Sequence, residues 1–302
     1  MLMATSPAGS STDRCDHPVA WVTGAGGLIG SWLVRLAPQR APEWTARPLL
    51  RSDVDLTQTD AVQRLFRREK PAAIIHCAAL SRSTDCQSAP AVARIQNVEV
   101  TARLVELAAE IPLLFFSTDL VFDGKRGNYD ETAAVNPLSV YAETKAAAER
   151  IVLSNPRHSV VRTSLNSGPS PKGDRGFDEQ LIQAWKAGQV LRLYTDEFRS
   201  PIAARATARA VWELLQVNKP GLYHLAGDER LSRWEIGRLL AASHPELEAR
   251  IEAASLKEYR GAPRAPDTSL NCDKLQKLLS TPLPRWSDWL KETAGAEGSR
   301  DA

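Results

Sequence analysis

The chain has 302 residues, of which 43% are hydrophobic and 25% charged, and its formal net charge is +2. Such values describe an ordinary globular protein with room for one large α/β domain and an added lobe, and they argue against a nucleic-acid or membrane-surface partner. The four cysteines, Cys15, Cys77, Cys86 and Cys272, form no CxxC pair, which excludes a zinc ribbon or disulfide scaffold and points to reduced thiols in the cytoplasm.

Residues 1–17 are rich in Ser, Thr, Ala and Gly without an apolar core, and read as a disordered tail rather than a signal peptide. No run reaches the length of a membrane span. An apolar run, Val19 to Val22, then leads into Gly24-x-x-Gly27-x-x-Gly30, which precedes a helical pattern over Ser31–Leu36. Strand, glycine turn and helix in that order make a phosphate cradle: the first glycine permits the turn, the second admits the backbone to a pyrophosphate, the third allows close packing. A second strand is expected over Arg47–Arg51, a helix over Thr57–Glu69, and a doubly covered strand over Ala72–Ala78. A long helix over Pro90–Glu110, a strand over Leu113–Ser117, a helix over Leu138–Leu153 and a strand over His158–Thr163 continue the alternation. Strands separated by helices predict a doubly wound parallel sheet of Rossmann type spanning residues 18–164.

After Ser164 the rhythm changes. Residues 166–176 read as a long loop of the kind that serves as a lid or binding loop. Helices over Phe177–Ala187, Ala203–Val217 and Arg233–Ala242, strands over Val190–Tyr194 and Gly221–Leu225, and a last amphipathic helix near Trp286 and Trp289 complete a smaller lobe, residues 165–291, interleaved with the core. Residues 292–302 are expected to be a second disordered tail.

Tyr141-Ala-Glu-Thr-Lys145 falls on a predicted helix, and residues four apart share a face. An ammonium beside a phenol favours the phenolate and makes the tyrosine a better proton donor and acceptor near neutral pH. Ser117 and Thr118 end the fourth strand, where side chains point into the crevice at the carboxyl edge, and alternation sends only one of them there. The second strand ends in Arg51, which cannot accept from ribose hydroxyls but can pair a 2′-phosphate, so NADPH is expected over NADH, with NADH as the alternative. His76 reads as a structural or cofactor-lining residue, Cys77 as a small buried hydrophobe, and no carboxylate grouping has metal-ligand spacing.

The glycine turn, Ser117-Thr118-Asp119, Tyr141-x-x-x-Lys145, Val161-Arg-Thr-Ser164, Gly221-Leu-Tyr-His-Leu-Ala-Gly227 and Arg264-x-x-Asp-Thr-Ser-Leu270 together resemble the extended short-chain dehydrogenase/reductase family, and within it the dTDP-4-dehydrorhamnose reductases. The resemblance runs over residues 18–291. It implies a cytoplasmic carbonyl reductase acting on a nucleotide-linked sugar, with Tyr141 as general acid, Lys145 lowering the tyrosine pKa and holding the nicotinamide ribose, and Thr118 binding the substrate carbonyl with Ser117 as fallback. It also implies a cofactor site that includes Gly24, Gly27, Leu28, Ile29, Gly30, Arg51, Asp55, Leu56, Ala78, Ala79 and Asn97, although Asn97 could equally cap or pin a helix. Ser81, Asp119, Leu165 and Arg199 would line the substrate. A homodimer is common in that family, but no hydrophobic face here demands one.

The chain departs from the family at three places, one of them an atypical substrate loop over residues 169–176. Leu165 stands where the family carries a tryptophan against the sugar, and Arg199 replaces a glycine. A guanidinium facing the pocket would favour an anionic group. Two other functions share these motifs. An epimerase or dehydratase would keep NAD bound, yet Asp119-Leu120 does not supply the paired carboxylates dehydratases use. A non-catalytic NADP-binding regulator would not need Thr118, Tyr141 and Lys145 together.

Overall fold

The computed structural model describes residues 17–261 and 263–297. The expected tail over residues 1–17 lies almost wholly outside that range. In chain order the first half contains β1 (Val19–Thr23), α1 (Leu28–Arg40), β2 (Thr45–Leu49), α2 (Thr59–Glu69), β3 (Ala73–His76), α3 (Ser83–Ser88), α4 (Pro90–Arg94), α5 (Val100–Leu107), β4 (Leu113–Thr118), α6 (Val140–Leu153) and β5 (Ser159–Thr163). Then come β6 (Asn166–Ser167), α7 (Phe177–Lys186), β7 (Leu191–Tyr194), β8 (Phe198–Arg199), β9 (Ile202–Ala203), α8 (Ala204–Val217) and β10 (Gly221–Leu225). The last elements are β11 (Leu231–Ser232), α9 (Arg233–Ser243), β12 (Ile251–Ala254), α10 (Asp273–Gln276) and α11 (Trp286–Glu297).

The central sheet has six strands in the order β10-β5-β4-β3-β1-β2, every neighbouring pair parallel. β3 and β4 are buried along their whole length, which explains their unbroken apolar runs. One face packs on α1 and α8, where the fully buried Trp212 donates its indole N–H to the Leu33 carbonyl at 2.9 Å. The other face packs on α2, α5 and α6 through Val62, Leu65, Leu104, Ala148 and Val152. After β1 the chain pairs β2 on one side and β3 on the other, so the sheet's switch point lies above β1 and β3, where open α/β folds bind ligands.

The second half is less separable than the sequence suggests. α8 and β10 belong to the core, β10 closing the sheet edge beside β5. The lobe proper is three two-stranded ladders, β6–β9, β7–β12 and β8–β11, with α7, α9 and α11 around Phe177, Trp185, Ile236 and Trp286. These ladders rest on strands of two to four residues, and apart from β7, expected over Val190–Tyr194, they are too short to register as periodicity. The long helix expected over 90–110 is α4 and α5 joined through a π turn, Ile95–Glu99. The final helix extends to Glu297, past the expected start of the tail at 292.

Candidate active site

The glycine turn is tight for steric reasons. Gly24 has φ +66, and a Cβ there would lie 2.7 Å from the Ala78 nitrogen. A Cβ on Gly30 would strike the Gly24 carbonyl. The first and third glycines therefore let β1, the β3 end and α1 meet. Gly27 accepts no such crowding beyond the Gly24 oxygen at 3.2 Å and stands at the cap of α1. α1 has neither a capping side chain nor an acidic residue in its first turn, so its leading N–H groups, around Leu28, Ile29 and Gly30, meet no competing anion. These features fit a dinucleotide pyrophosphate.

Around this turn the cofactor-side residues form a connected set. Ala78 and Ala79 follow β3, half-buried, and the Ala78 N–H donates to Thr23 Oγ1 at 3.2 Å. His76 is buried between Thr23 and Thr101, with ring nitrogens 2.7 Å and 3.2 Å from their hydroxyls, and burial pushes its pKa down to about 3. It is a neutral structural link. Arg51 lies beyond β2 with its side chain 77% exposed and 3.4 Å from Asp55. Asp55 accepts the Thr57 N–H at 2.9 Å and hydroxyl at 2.8 Å, and the N–H contributes most to holding the carboxyl below its usual range. Leu56 follows, half-buried.

Asn97 does not offer its amide to a ligand. It is buried in the π turn, where its Oδ1 accepts the Leu80 N–H at 2.8 Å while its Nδ2 donates to the Leu80 carbonyl and to Thr144 Oγ1, both at 3.0 Å. Thr144 in turn donates to the Tyr141 carbonyl at 2.7 Å. Asn97 thus ties the segment after β3 to the first turn of α6 and acts by pinning. Ser81 is exposed immediately after that pinned segment.

At the end of β4, the Ser117 hydroxyl donates to Glu149 on α6, 2.5 Å away. Its neighbour points the other way. Thr118 donates to Asp119 at 3.2 Å and lies close enough to Tyr141 that its hydroxyl favours the phenolate. Alternation along the strand leaves Thr118 the residue beside the phenol. Burial raises the Tyr141 pKa well above the ordinary tyrosine value, and the Asp119 charge adds to it. Lys145 is 3% exposed, with its ammonium 3.9 Å from the centre of the Phe115 ring. Burial lowers its pKa to about 7, against the raising effect of Glu149. The lysine lies one turn along the tyrosine's helix face but is directed toward Phe115 and Glu149. Burial and the Asp119 charge keep the Tyr141 phenol protonated in this arrangement.

Glu149, one turn beyond Lys145, is held by Arg162 of β5 through contacts of 2.9 Å and 2.7 Å, and Arg162 approaches His224 of β10 at 3.4 Å. The sequence reading missed this pair, although its spacing from Tyr141 and Lys145 on α6 was there to be seen.

Two substrate-side expectations need correction. Asp119 is buried and accepts from Ser164 at 2.9 Å and Thr268 at 2.7 Å, with Arg199 at 3.8 Å, so it is a hub that places Thr118 rather than a free ligand. Arg199 is 4% exposed. Its donors are taken by the Phe198 and Ala265 carbonyls at 2.6 Å and 3.1 Å and by Glu197 at 2.8 Å. It faces protein, because β8 turns it inward against Glu197. Leu165 packs partly buried against the lobe cluster of Phe177 and Trp286. The 166–176 segment is anchored: Trp32 of α1 donates to the Pro169 carbonyl at 3.1 Å, and Glu179 accepts from Ser170, Arg175 and Gly176. Among the described residues no group of three His, Cys, Asp or Glu side chains could hold a metal ion, and no helix is long and apolar enough to cross a membrane.

A six-stranded parallel sheet with a glycine turn at its switch point, and a threonine, tyrosine and lysine at the adjoining strand end, define a Rossmann-type dinucleotide-binding protein of the dehydrogenase and epimerase kind. The family model described as the RmlD substrate binding domain matches residues 20–297, and the chain belongs to that family. Among curated relatives, the probable low-salt glycan biosynthesis reductase Agl14 of Haloferax volcanii is 30% identical over 89% of this chain and 95% of its own length. The dTDP-4-dehydrorhamnose reductase of Sinorhizobium fredii is 28% identical over 88% and 93%. The methionine adenosyltransferase 2 subunit beta of Xenopus laevis is 28% identical over 86% and 82%. Of solved structures, a dTDP-4-dehydrorhamnose reductase from Clostridium acetobutylicum superposes with a TM-score of 0.82 at 25% identity, covering 91% of this chain and 97% of that one. One from Bacillus anthracis in complex with NADP gives 0.82 at 23%, covering 91% and 98%.

Proposed function

We propose that this protein is an NADPH-dependent reductase of a keto group carried by a nucleotide-linked sugar. The observation that carries the reading is the meeting of Thr118, Tyr141 and Lys145 at the carboxyl end of β4, on the sheet edge that also presents the uncapped α1 N-terminus. The Gly24–Gly30 turn and the first turn of α1 would hold the pyrophosphate, and Arg51 the 2′-phosphate. When bound, the reduced nicotinamide supplies hydride. Thr118 orients the carbonyl oxygen by hydrogen bonding. Tyr141, kept neutral by its surroundings, donates the proton that oxygen takes up. Lys145 would hold the nicotinamide ribose, and its ammonium would then face that end of the site.

Asp119 is engaged by Ser164, Thr268 and Arg199, and Leu120 beside it supplies no second carboxylate, which favours reduction over dehydration. The similarity to methionine adenosyltransferase beta subunits supports a second reading, a non-catalytic regulator. One variant separates the two. With a panel of dTDP-, GDP-, UDP- and CDP-linked 4-keto-sugars, an enzyme oxidises NADPH, and Tyr141→Phe lowers turnover by about 10²–10⁴ while leaving NADPH binding intact. No turnover across the panel by the unaltered protein would remove the reductase reading. For cofactor choice, Arg51→Ala should weaken NADPH without weakening NADH. Equal changes would show that Arg51 does not read the phosphate.

A further inference from the structure

Phe115 and Ser117 are two residues apart on β4, so both side chains face α6, which packs on that side of the sheet. Lys145 and Glu149 are four apart on α6 and share a face. The two pairs meet in step. The Lys145 ammonium lies 3.9 Å from the centre of the Phe115 ring, and Glu149 takes the Ser117 hydroxyl. Strand register extends each contact sideways. His76 of β3 stands opposite Phe115, Arg162 of β5 opposite Ser117, and His224 of β10 opposite Arg162.

This second row fixes Glu149. Its Oε1 accepts from Ser117 and from Arg162 Nε at 2.9 Å, and its Oε2 accepts from Arg162 Nη2 at 2.7 Å. Arg162 is itself held, 3.4 Å from His224 Nε2 and 5.0 Å from the centre of the Phe122 ring. Lys145 has no such ties: among the described residues its ammonium makes no hydrogen bond and no ion pair, although the residue is 3% exposed. The titratable and charged groups around it are His76 and Cys77 from the end of β3, Cys86 from α3, and Tyr141 and Glu149 from α6, with Arg162 of β5 behind Glu149. Glu149 is the carboxylate among them. Burial disfavours an ammonium, and an opposite charge alongside restores it. Both effects act on Lys145: burial pulls it down to about 7, and Glu149 is the largest influence in the other direction.

We propose that Glu149 is a positioning residue for the cofactor site, locked by Ser117 and Arg162 beside Lys145 so that the lysine meets the nicotinamide ribose as an ammonium. The inference rests on the reductase reading, in which Lys145 holds that ribose. It divides the work of two adjacent residues: Thr118 turns to the substrate carbonyl, and Ser117 reaches to the group that serves Lys145. The Glu149–Arg162 pair is then more than a brace between α6 and the sheet.

NADPH binding tests this without turnover. Affinity is read on the full chain from the rise in NADPH fluorescence, between about pH 5.5 and 9, a range that spans the lysine midpoint. The ratio of parent to variant is followed, so that titrations common to both cancel. Glu149→Gln should lower the lysine midpoint by about one unit, the low end of what a neighbouring opposite charge does. The variant should then bind about threefold more weakly between the two midpoints and close to parent affinity well below and well above them. Glu149→Asp, which keeps the charge, should narrow that gap. Because Glu149→Gln leaves Arg162 without its carboxylate, Glu149→Leu with Arg162→Met is measured beside it: the ion pair is gone, apolar packing replaces it, and the same pH-bounded gap should appear. A gap of equal size at every pH marks a purely structural loss and overturns the inference, as does the absence of a gap in the double variant. The pH-bounded gap in a protein that reduces no ketone would remove the reductase reading alone. Ketone reduction by a protein whose variants show one ratio at every pH would remove this inference alone.

Discussion

Two charge clusters flank the Thr118–Tyr141–Lys145 group, and they are balanced differently. Beneath it, Glu149 and Arg162 are matched one to one, each with 5% of its side chain exposed, and Ser117 and His224 take up remaining polar positions. Beside it, Asp119 and Glu197 face Arg199 and Arg264, with the Arg233 guanidinium close by and, among the described residues, in no hydrogen bond or ion pair. A closed pair of this kind spends its donors and acceptors on holding elements together, here α6 to β4 and β5. The second cluster joins the end of β4 to β8 and to the segment carrying Arg264, with one more guanidinium than carboxylate. The difference teaches that burial of charge is no guide to function by itself.

The largest expected effect comes from breaking the closed cluster. Glu149→Ala leaves Arg162 uncompensated and should cost about 3–5 kcal/mol in denaturant unfolding, whereas Glu149→Leu with Arg162→Met should recover most of that. A single-variant loss no larger than at a surface position would mean the pair does not hold α6 to the sheet. Next is the glycine turn. Gly24→Ala combines a left-handed φ of +66 with a Cβ 2.7 Å from backbone, and should cost about 1–3 kcal/mol and NADP⁺ binding with it. Gly173→Ala, at φ +69 with nothing within 4 Å, should bear only the smaller conformational cost and leave NADP⁺ affinity alone. Similar losses at the two sites would show that close approach is not what Gly24 provides.

A subtler effect concerns Lys145. In cofactor-free protein its amine should titrate near pH 7, read from the chemical shift of the ¹³C-methylated side chain, and Glu149→Gln should move that midpoint down, because Glu149 favours the ammonium. An upward move would show that the carboxylate does not act on the lysine. Since the folded pKa lies below the ordinary 10.5, the stability this group contributes is complete above pH 10.5 and is lost as pH falls through about 7. The smallest effect lies in the lobe. Asp178, buried and accepting the Gly168 N–H at 2.8 Å, is raised by burial to about 6. Its contribution is complete below the ordinary 3.8 and is lost as pH rises through about 6, so Asp178→Asn should flatten the change in thermal midpoint over that window. A change as steep in the variant as in the parent would assign the titration to another group.

Much of the core could be read from residue order, because backbone geometry writes it locally. The glycine spacing, the apolar strands β3 and β4 and the helix carrying Tyr141 and Lys145 each lie within one short stretch of chain. The reading failed where partners are far apart. Asn97, read either as a cofactor contact or as a helix pin, is the pin, because Leu80 and Thr144 close on it. The π turn that carries it has no signature in an otherwise helical stretch. Arg199 looked like a pocket residue and is buried against Glu197 and the Ala265 carbonyl.

Order of residues alone determined a parallel Rossmann-type sheet, the place of its glycine turn, and the three side chains at its carboxyl edge, because strand and helix periods and turn sterics act over a few residues. Tertiary structure alone decided which charges are spent and which are free. Whether a guanidinium has a partner depends on carboxylates and carbonyls brought in from distant segments, and no local pattern encodes that count.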